Sequence, residues 1–454
     1  MKAARLFGTS GVRGVFREEL HPRIFLDLSI SLSNYLENMG EVIVGRDTRI
    51  TGEIIEGCVV SGLISGGCDV LRAGVVPTPA LSFGVNRTGC SAGVMITASH
   101  NPPEYNGIKL WSGDGSAFDE DAERKIEEIC QRGSEHRVDW KGIGTVSSCD
   151  IIGEYVEHIV SRTKLETSHN VVVDCGNGAA SGVTPLLLRK MNCRIRTLNS
   201  NPDGHFPGRS PEPSAGSLAD LADTVRRTGA ELGIAHDGDA DRVAIVDDRG
   251  RIAPPDKMLA LVASHMIRKK GDIVVTTVDA SSVVEKAVCS RGGKVVRTGV
   301  GDVNVGREIR KNGAVFGGEP SGAWIFPDIG RAPDGPAGAM VVMELIEQHG
   351  KLSSLLDSLP DFTTLREKIP CPADRKNYLM EAVREPLETE FKERRETLSI
   401  DGLRVSLDEG WVLVRPSGTE ACIRVTVEGK NRGVAEEIME RARSCVKKAL
   451  DAIS

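Results

Sequence analysis

Short runs of consecutive apolar residues, each followed by a helical stretch and a second apolar run, recur three times along the chain. Residues 42–47 (VIVGRD) lead through GEIIEGCVVSGLISGG to DVLRAGVV, 171–174 (VVVD) through GVTPLLLRKM to CRIRTL, and 273–279 (IVVTTVD) through SSVVEKAVCSRGG to KVVRTG. A strand that is apolar at nearly every position has both faces covered, as in sheets flanked by helices on two sides. Each unit therefore predicts a right-handed strand, helix, strand crossover. Downstream of each comes a second shared element, an apolar strand, a Gly-rich polar loop and another apolar strand. The three copies are GVMITASHNPPEYNGIKLW at 93–111, LGIAHDGDADRVAIVD at 232–247 and AVFGGEPSGAWIF at 314–326.

The repeat predicts three similar α/β domains with mixed sheets, whose equivalent loops converge on one cleft. The plainer alternative is three separate α/β domains whose Gly-rich loops are ordinary hairpins. The C-terminal part breaks the pattern. A Pro-containing stretch near 360–373 reads as a linker, followed by a charged helix over 376–396 interrupted at Pro386. Strands around LRVSL, GWVLVRP and CIRVTVEG and a terminal helix from Arg432 follow, which together predict a smaller α+β domain. The expected division is 1–150, 151–253, 254–365 and 366–454.

Composition narrows the function. At 454 residues and a net charge of −7, the chain has room for several cores and no basic excess for holding a polyanion. Aromatic residues, at 4%, leave no platform for stacking bases, so nucleic acid is not expected as a partner. The 11 cysteines contain no C-x-x-C pair or Cys/His cluster and read as reduced thiols of a cytoplasmic protein. The start, MKAARLFGTSGVRG, turns polar before an apolar leader can form, and no run approaches the ~18 apolar residues of a membrane span. The expectation is a soluble, untargeted protein without a membrane partner, acting as a monomer or homodimer.

The loops carry the candidate chemistry. In HDGDADR, Asp237, Asp239 and Asp241 alternate along an extended segment and share a face, directing three hard oxygen donors at one point that Gly238 and Ala240 keep open. That set fits a divalent cation, Mg²⁺ better than Ca²⁺. The spacing also matches the start of an EF-hand loop, but Asp248 stands where the closing Glu belongs, and Val243, Ala244 and Ile245 form a strand. An acidic surface turn is the plain alternative, disfavoured because three carboxylates this close repel one another.

In ITASHNP, Ser99 ends an apolar strand, where a serine can serve as nucleophile or phosphoryl carrier, with His100 and Lys109 as nearby bases or phosphate partners. Neighbouring side chains on extended backbone point apart and no G-x-S-x-G elbow is present, so a serine that merely forms a turn fits equally well. RPSGTEACIR gathers Arg415, Ser417, Gly418, Thr419 and Arg424, the N–H groups, hydroxyls and guanidinium forks that hold a phosphate dianion. GGEPSG offers Glu319 and Ser321 to sugar hydroxyls, and FGTSGVRG adds a small-residue loop with Arg13. Each of these loops, taken singly, is also compatible with a surface turn.

Taken in order, FGTSGVRG, TASHNPPEYNGIKL, DGDADR, GGEPSG and RPSGTE resemble the α-D-phosphohexomutase superfamily over essentially the whole chain. The resemblance implies three similar α/β domains and a smaller α+β domain around a central cleft. It implies that Ser99 is the phosphorylated serine, flanked by His100, and that Asp237, Asp239, Asp241 and the Ser99 phosphate hold Mg²⁺. Glu319 and Ser321 would contact sugar hydroxyls. Arg415, Ser417, Gly418 and Thr419 would grip the phosphate that is not reacting, and Arg13, Lys109 and Arg242 would surround the one that is.

Within the superfamily, TASHNP and the IRV-containing final loop resemble the phosphoglucosamine mutases, and GGEPSG followed by Ala-Trp resembles archaeal-type members. Many relatives carry His after the Ser-Gly of the sugar loop, where this chain has Ala323 and Trp324, and glucose and mannose mutases often show a histidine near Val300. The implied activity is interconversion of glucosamine 6-phosphate and glucosamine 1-phosphate through a phosphoserine enzyme and a sugar 1,6-bisphosphate. Phosphomannomutase or phosphoglucomutase activity is the alternative. A silent sugar-phosphate sensor would lack a chemical residue, and a metal-dependent phosphatase would release phosphate instead of exchanging isomers.

Overall fold

The computed structural model describes residues 6–8, 11–133, 138–417 and 421–452. The three repeats fold alike. In the first, Glu41–Arg46 lies between Asp69–Val75 and Ala92–Ile96, parallel to both, and Ala92–Ile96 turns back antiparallel into Tyr105–Ser112. In the second, Asn170–Asp174 lies between Arg194–Leu198 and Leu232–His236, with Val243–Val246 completing the hairpin. In the third, Ile273–Thr277 lies between Lys294–Thr298 and Phe316–Gly318, whose hairpin partner is Trp324–Ile325. Helices Gly52–Ser65, Thr184–Lys190 and Ser282–Ser290 make the expected crossovers.

A second repeated device aligns the hairpins. Helices Thr78–Thr88, Ala219–Thr228 and Asp302–Asn312 each stop at a left-handed glycine, Gly89, Gly229 and Gly313, with φ of 75, 61 and 59°. In all three copies the next strand begins three residues after that glycine. Glycine takes this left-handed cap without the backbone strain that a side chain would bring. The chain therefore returns to each sheet alike, and the three functional loops leave from the carboxyl ends of equivalent strands, where open α/β sheets bind ligands.

The first sheet gains two outer strands, Val146–Ser148 and Val12–Val15. The second corrects the reading of FGTSGVRG as a loop, because Arg13 lies on a strand opposite Gly107. A Cβ at Gly107 would stand 2.0 Å from the Val12 carbonyl oxygen, so this pairing needs glycine. One apolar core, with Trp111, Ile234, Leu259 and Phe316 among its members, runs through all three modules and fixes their loops relative to one another.

The final domain has its own core around Val412, Ile423 and Ile438, and meets the third module through a small cluster of Val278, Trp411 and Leu413. Its antiparallel sheet runs Thr363–Pro370, Cys422–Gly429, Gly410–Pro416, Leu403–Ser406, Glu396–Leu398, with Arg432–Ala452 packed against it. The stretch expected as a linker thus contains an edge strand that crosses position 366. Its proline stands at the strand end, where a missing N–H is tolerated. The expected charged helix is two, Lys376–Ala382 and Arg384–Glu390, and the break falls at Val383. Pro386 sits in the first turn of the second helix, where its N–H has no helical acceptor to lose. No helix among the described residues is long and apolar enough to cross a membrane.

Candidate active site

Ser99 lies just beyond Ala92–Ile96 and is 1% exposed. Its φ of 51° is uncommon for a residue with a side chain. The left-handed turn overturns the expectation that Ser99 and His100 point apart, for Ser99 Oγ lies 3.3 Å from His100 Nδ1. Oγ also donates to Asp237 Oδ2 at 2.7 Å.

The serine loop is held from beneath by Arg49, which the sequence reading did not single out. Its fully buried guanidinium donates to the carbonyls of Ser99, Asn101, Pro102 and Tyr105 at 2.6–2.9 Å, and to Asp47 Oδ2 at 3.1 Å. All five donors of the planar fork are thereby used. Asp47 Oδ2 accepts from Thr97 Oγ1 at 2.6 Å, and Thr97 Oγ1 accepts from the Ser99 N–H at 2.8 Å.

Asp237, Asp239 and Asp241 place one ligand oxygen each within 4.8 Å of the others. All three modules pin their loop: Thr78 N donates to Asp239 O, Ala179 N to Gly238 O, and Gly335 N to Ala240 O. Gly238 is required, since a Cβ there would stand 2.6 Å from the Ser99 carbonyl oxygen. Asp239 Oδ2 accepts from Thr78 Oγ1 at 2.6 Å and from Lys109 Nζ at 2.9 Å, and Asp241 Oδ2 from Lys109 Nζ at 2.6 Å.

Asp239 Oδ1 and Asp241 Oδ1 are buried with no hydrogen-bond partner among the described residues. Burial, then Asp241 and Asp239, raise the Asp237 carboxyl well above its ordinary range. Buried carboxylate oxygens without donors and mutual repulsion are what a hard divalent cation relieves, so the residues fit Mg²⁺.

Arg13 and Lys109 share a sheet face, because Arg13 is opposite Gly107, two residues from Lys109. Burial works against the Lys109 charge, but Asp239 and Asp241 outweigh it and hold the ammonium above its usual range. Burial, with Arg242 and Arg13 close by, holds the His100 imidazole down at about 3. His100 is therefore neutral near pH 7 and a poor base. Glu212, also missed from sequence, brings Oε2 within 3.8 Å of His100 Nε2 and 3.6 Å of Arg242 NH1.

These groups border a cavity of about 390 Å³ lined by Arg13, Ser99, His100 and Arg242 together with Gly301, Asp302 and Glu319. Cavities of 410 and 700 Å³ elsewhere hold none of this chemistry. Arg242 and Ala323 form a backbone bridge that seats the second module's loop beside the third's. Ser321 stands exposed on its turn, outside the cavity lining.

Glu319 Oε2 accepts from the Gly301 N–H at 3.1 Å. Burial first, then the nearby Asp302, push its carboxyl up to about 7. Protonation below that value removes the charge with which this carboxylate would accept hydrogen bonds from a ligand's hydroxyls. KM for a phosphosugar is therefore expected to rise several-fold as pH falls from about 8 to about 6, and Glu319→Gln should flatten that limb. Steady-state kinetics of both proteins across this range checks it.

No described residue of the final domain lines this cavity, but Arg415 is linked to its rim at Val300. Arg415 donates to Asp401 Oδ2 at 2.7 Å, and the same oxygen accepts from the Val300 N–H of the third module at 3.4 Å. Ser417 is buried and its carbonyl accepts from Lys376. Gly418 and Thr419 lie outside the described residues. Strand register sets Arg415 opposite Arg424, and Arg424 opposite Lys368. The register thus lines up three basic residues, of which Arg415 is paired with Asp401, and Lys368 joins the row only through that register.

Family models of the phosphoglucomutase/phosphomannomutase α/β/α domains I, II and III match residues 4–137, 153–250 and 254–362, and the family's C-terminal domain matches 368–444. The chain belongs to the phosphoglucomutase/phosphomannomutase family, isomerases that act as phosphosugar mutases. It is 48% identical, over 97% of its length and 98% of the relative's, to a protein of Methanothermobacter thermautotrophicus named "Probable phosphoglucosamine mutase". A Thermococcus kodakarensis protein of the same name is 46% identical over 98% of this chain and 99% of its own. A crystal structure of a phosphoglucomutase/phosphomannomutase family protein from Burkholderia thailandensis superposes with a TM-score of 0.89 at 28% identity, covering 98% of this chain and 97% of that one.

Proposed function

We propose that this chain interconverts glucosamine 6-phosphate and glucosamine 1-phosphate, with Ser99 as the phosphoryl carrier and a sugar 1,6-bisphosphate as intermediate. The carrying observation is the Ser99 hydroxyl, 2.7 Å from the Asp237 carboxylate and lining a cavity that Glu319 also lines. The names of the relatives support glucosamine as the sugar.

Asp237, Asp239 and Asp241, with an oxygen of the Ser99 phosphate, would hold Mg²⁺, which when bound offsets negative charge on the phosphoryl oxygens. The remaining roles belong to side chains. Lys109, Arg13 and Arg242 surround the transferring group, and Glu319 orients the sugar by accepting from its hydroxyls. His100, being neutral, orients the serine without adding charge. The phosphoryl group leaves Ser99 Oγ for the free sugar hydroxyl, whose proton is released as the serine oxygen takes one up, giving the bisphosphate and a free serine. After the bisphosphate turns around, its other phosphoryl group returns to Ser99. Such an enzyme works in the cytoplasm, on a small phosphosugar, as a monomer or homodimer.

Assaying the purified protein with the 1-phosphates of glucosamine, glucose and mannose tests the reading. The highest kcat/KM is expected for glucosamine 1-phosphate. A preference for glucose or mannose would overturn the sugar and keep the chemistry, whereas net phosphate release without isomer exchange would overturn both.

Arg415, Ser417, Gly418 and Thr419 grip the non-reacting phosphate in this proposal, with the cation row beside them. Arg415→Ala is expected to raise KM for both isomers by about tenfold or more and to increase bisphosphate release per turnover. Unchanged KM with unchanged release would leave the loop a surface turn.

A further inference from the structure

The aspartate loop makes a turn that its own residues do not favour. Ala240, between Asp239 and Asp241, is fully buried with φ of 57°, a left-handed backbone that a residue with a side chain seldom adopts. Such a turn persists only where its surroundings impose it. What it controls is the spacing of its neighbours, and these carry Asp239 Oδ1 and Asp241 Oδ1, the two buried oxygens with no donor among the described residues.

The surroundings come from the third module, at the start of the helix Gly335–His349. The first three residues of a helix have no helical acceptor for their N–H groups. Here Pro336 carries no N–H, and Ala337 N donates to the Asp334 side chain at 2.8 Å. The Gly335 N–H remains, and it donates to Ala240 O at 3.1 Å. A Cβ at Gly335 would stand 2.5 Å from Arg242 O and 2.7 Å from both Ala240 O and His236 Nδ1. Gly335 has no left-handed φ, so it is the closeness of the aspartate loop that calls for glycine. The helix end is itself fixed: buried Asp334 also accepts from the Tyr155 hydroxyl of the second module at 2.8 Å, and its N–H donates to Trp324 O at 2.8 Å.

We propose that Gly335 is a positioning residue for the metal: by seating Ala240 against the end of its helix, it fixes the spacing of Asp239 and Asp241 and so sets the affinity for a divalent cation. Tyr155, through Asp334, keeps that helix end in place. This rests on the metal reading given above.

Mn²⁺ serves as the probe, because it takes the same oxygen donors as Mg²⁺ and its free ion is counted by paramagnetic resonance. Wild type, Gly335→Ala and Tyr155→Phe are titrated with Mn²⁺ alone. Gly335→Ala is expected to weaken binding by about tenfold or more, the usual loss when a group that orients metal ligands is disturbed, and Tyr155→Phe by about threefold. The dissociation constant does not depend on how much of the protein is folded, so a residue needed only for folding would leave fewer ions bound at unchanged affinity. That result overturns the inference. Should Gly335→Ala fail to fold, Tyr155→Phe decides alone, since it leaves the Ala337 bond to Asp334 intact, and wild-type affinity in it overturns the inference. A wild type that binds no Mn²⁺ overturns the metal reading itself, before any variant is compared.

Discussion

Ser99→Ala is expected to lower turnover by about three orders of magnitude or more, because the residue that carries the phosphoryl group has no substitute among the side chains around it. The fold should survive with a modest loss. Ser99 is buried, and its hydroxyl donates to Asp237, so removing it leaves a carboxylate oxygen short of one donor at a cost of about 1–3 kcal/mol. Alanine accepts the left-handed backbone about as poorly as serine, so no further strain enters. Intact-protein mass after incubation with a sugar 1,6-bisphosphate checks the assignment, with one phosphoryl group gained by wild type and none by the variant. A phosphoryl group mapped to any other residue would mean that Ser99 is not the carrier.

Arg49→Met should have the largest effect on stability, about 3–5 kcal/mol in denaturant unfolding. Methionine fills a similar length but removes all five side-chain donors at once, and Asp47 keeps only the Thr97 hydroxyl and the backbone N–H of residue 49. The serine loop would relax, and activity should fall with stability. Arg49→Lys keeps the charge but not the five-donor fork, and is expected to lie between the two. Unfolding of Arg49→Met at wild-type denaturant concentration would show that the loop is held by other contacts.

The three modules were legible because their strands are apolar throughout and their loops are polar and glycine-rich, a contrast visible without tertiary information. The aspartate triad was legible for the same reason, since its ligands are close in sequence. Arg49 and Glu212 were not, being single charged residues whose partners lie in distant segments, and neither was Lys368. Arg49 reaches residues 50 to 56 positions away, and Lys368 becomes part of a cation row only through strand register. Val12–Val15 was hidden because glycines that permit close strand pairing look, in sequence, like those of a turn. The stretch near 360–373 does join the third and final family domains, but it holds the strand Thr363–Pro370, which its sequence hid because Pro370 falls at the strand end.

A hairpin used three times also separates what can change during descent. The first two loops hold the serine and the aspartates, and they touch at Ser99 and Gly238, so drift in one is constrained by the other. The third loop joins them through the Arg242–Ala323 bridge, a backbone contact that is indifferent to most side chains. Side-chain changes at Ser321 or Ala323 can thus arise with the serine and the aspartates of the first two loops left in place, so that a new preference on this wall and the shared chemistry of the other two are free to vary separately.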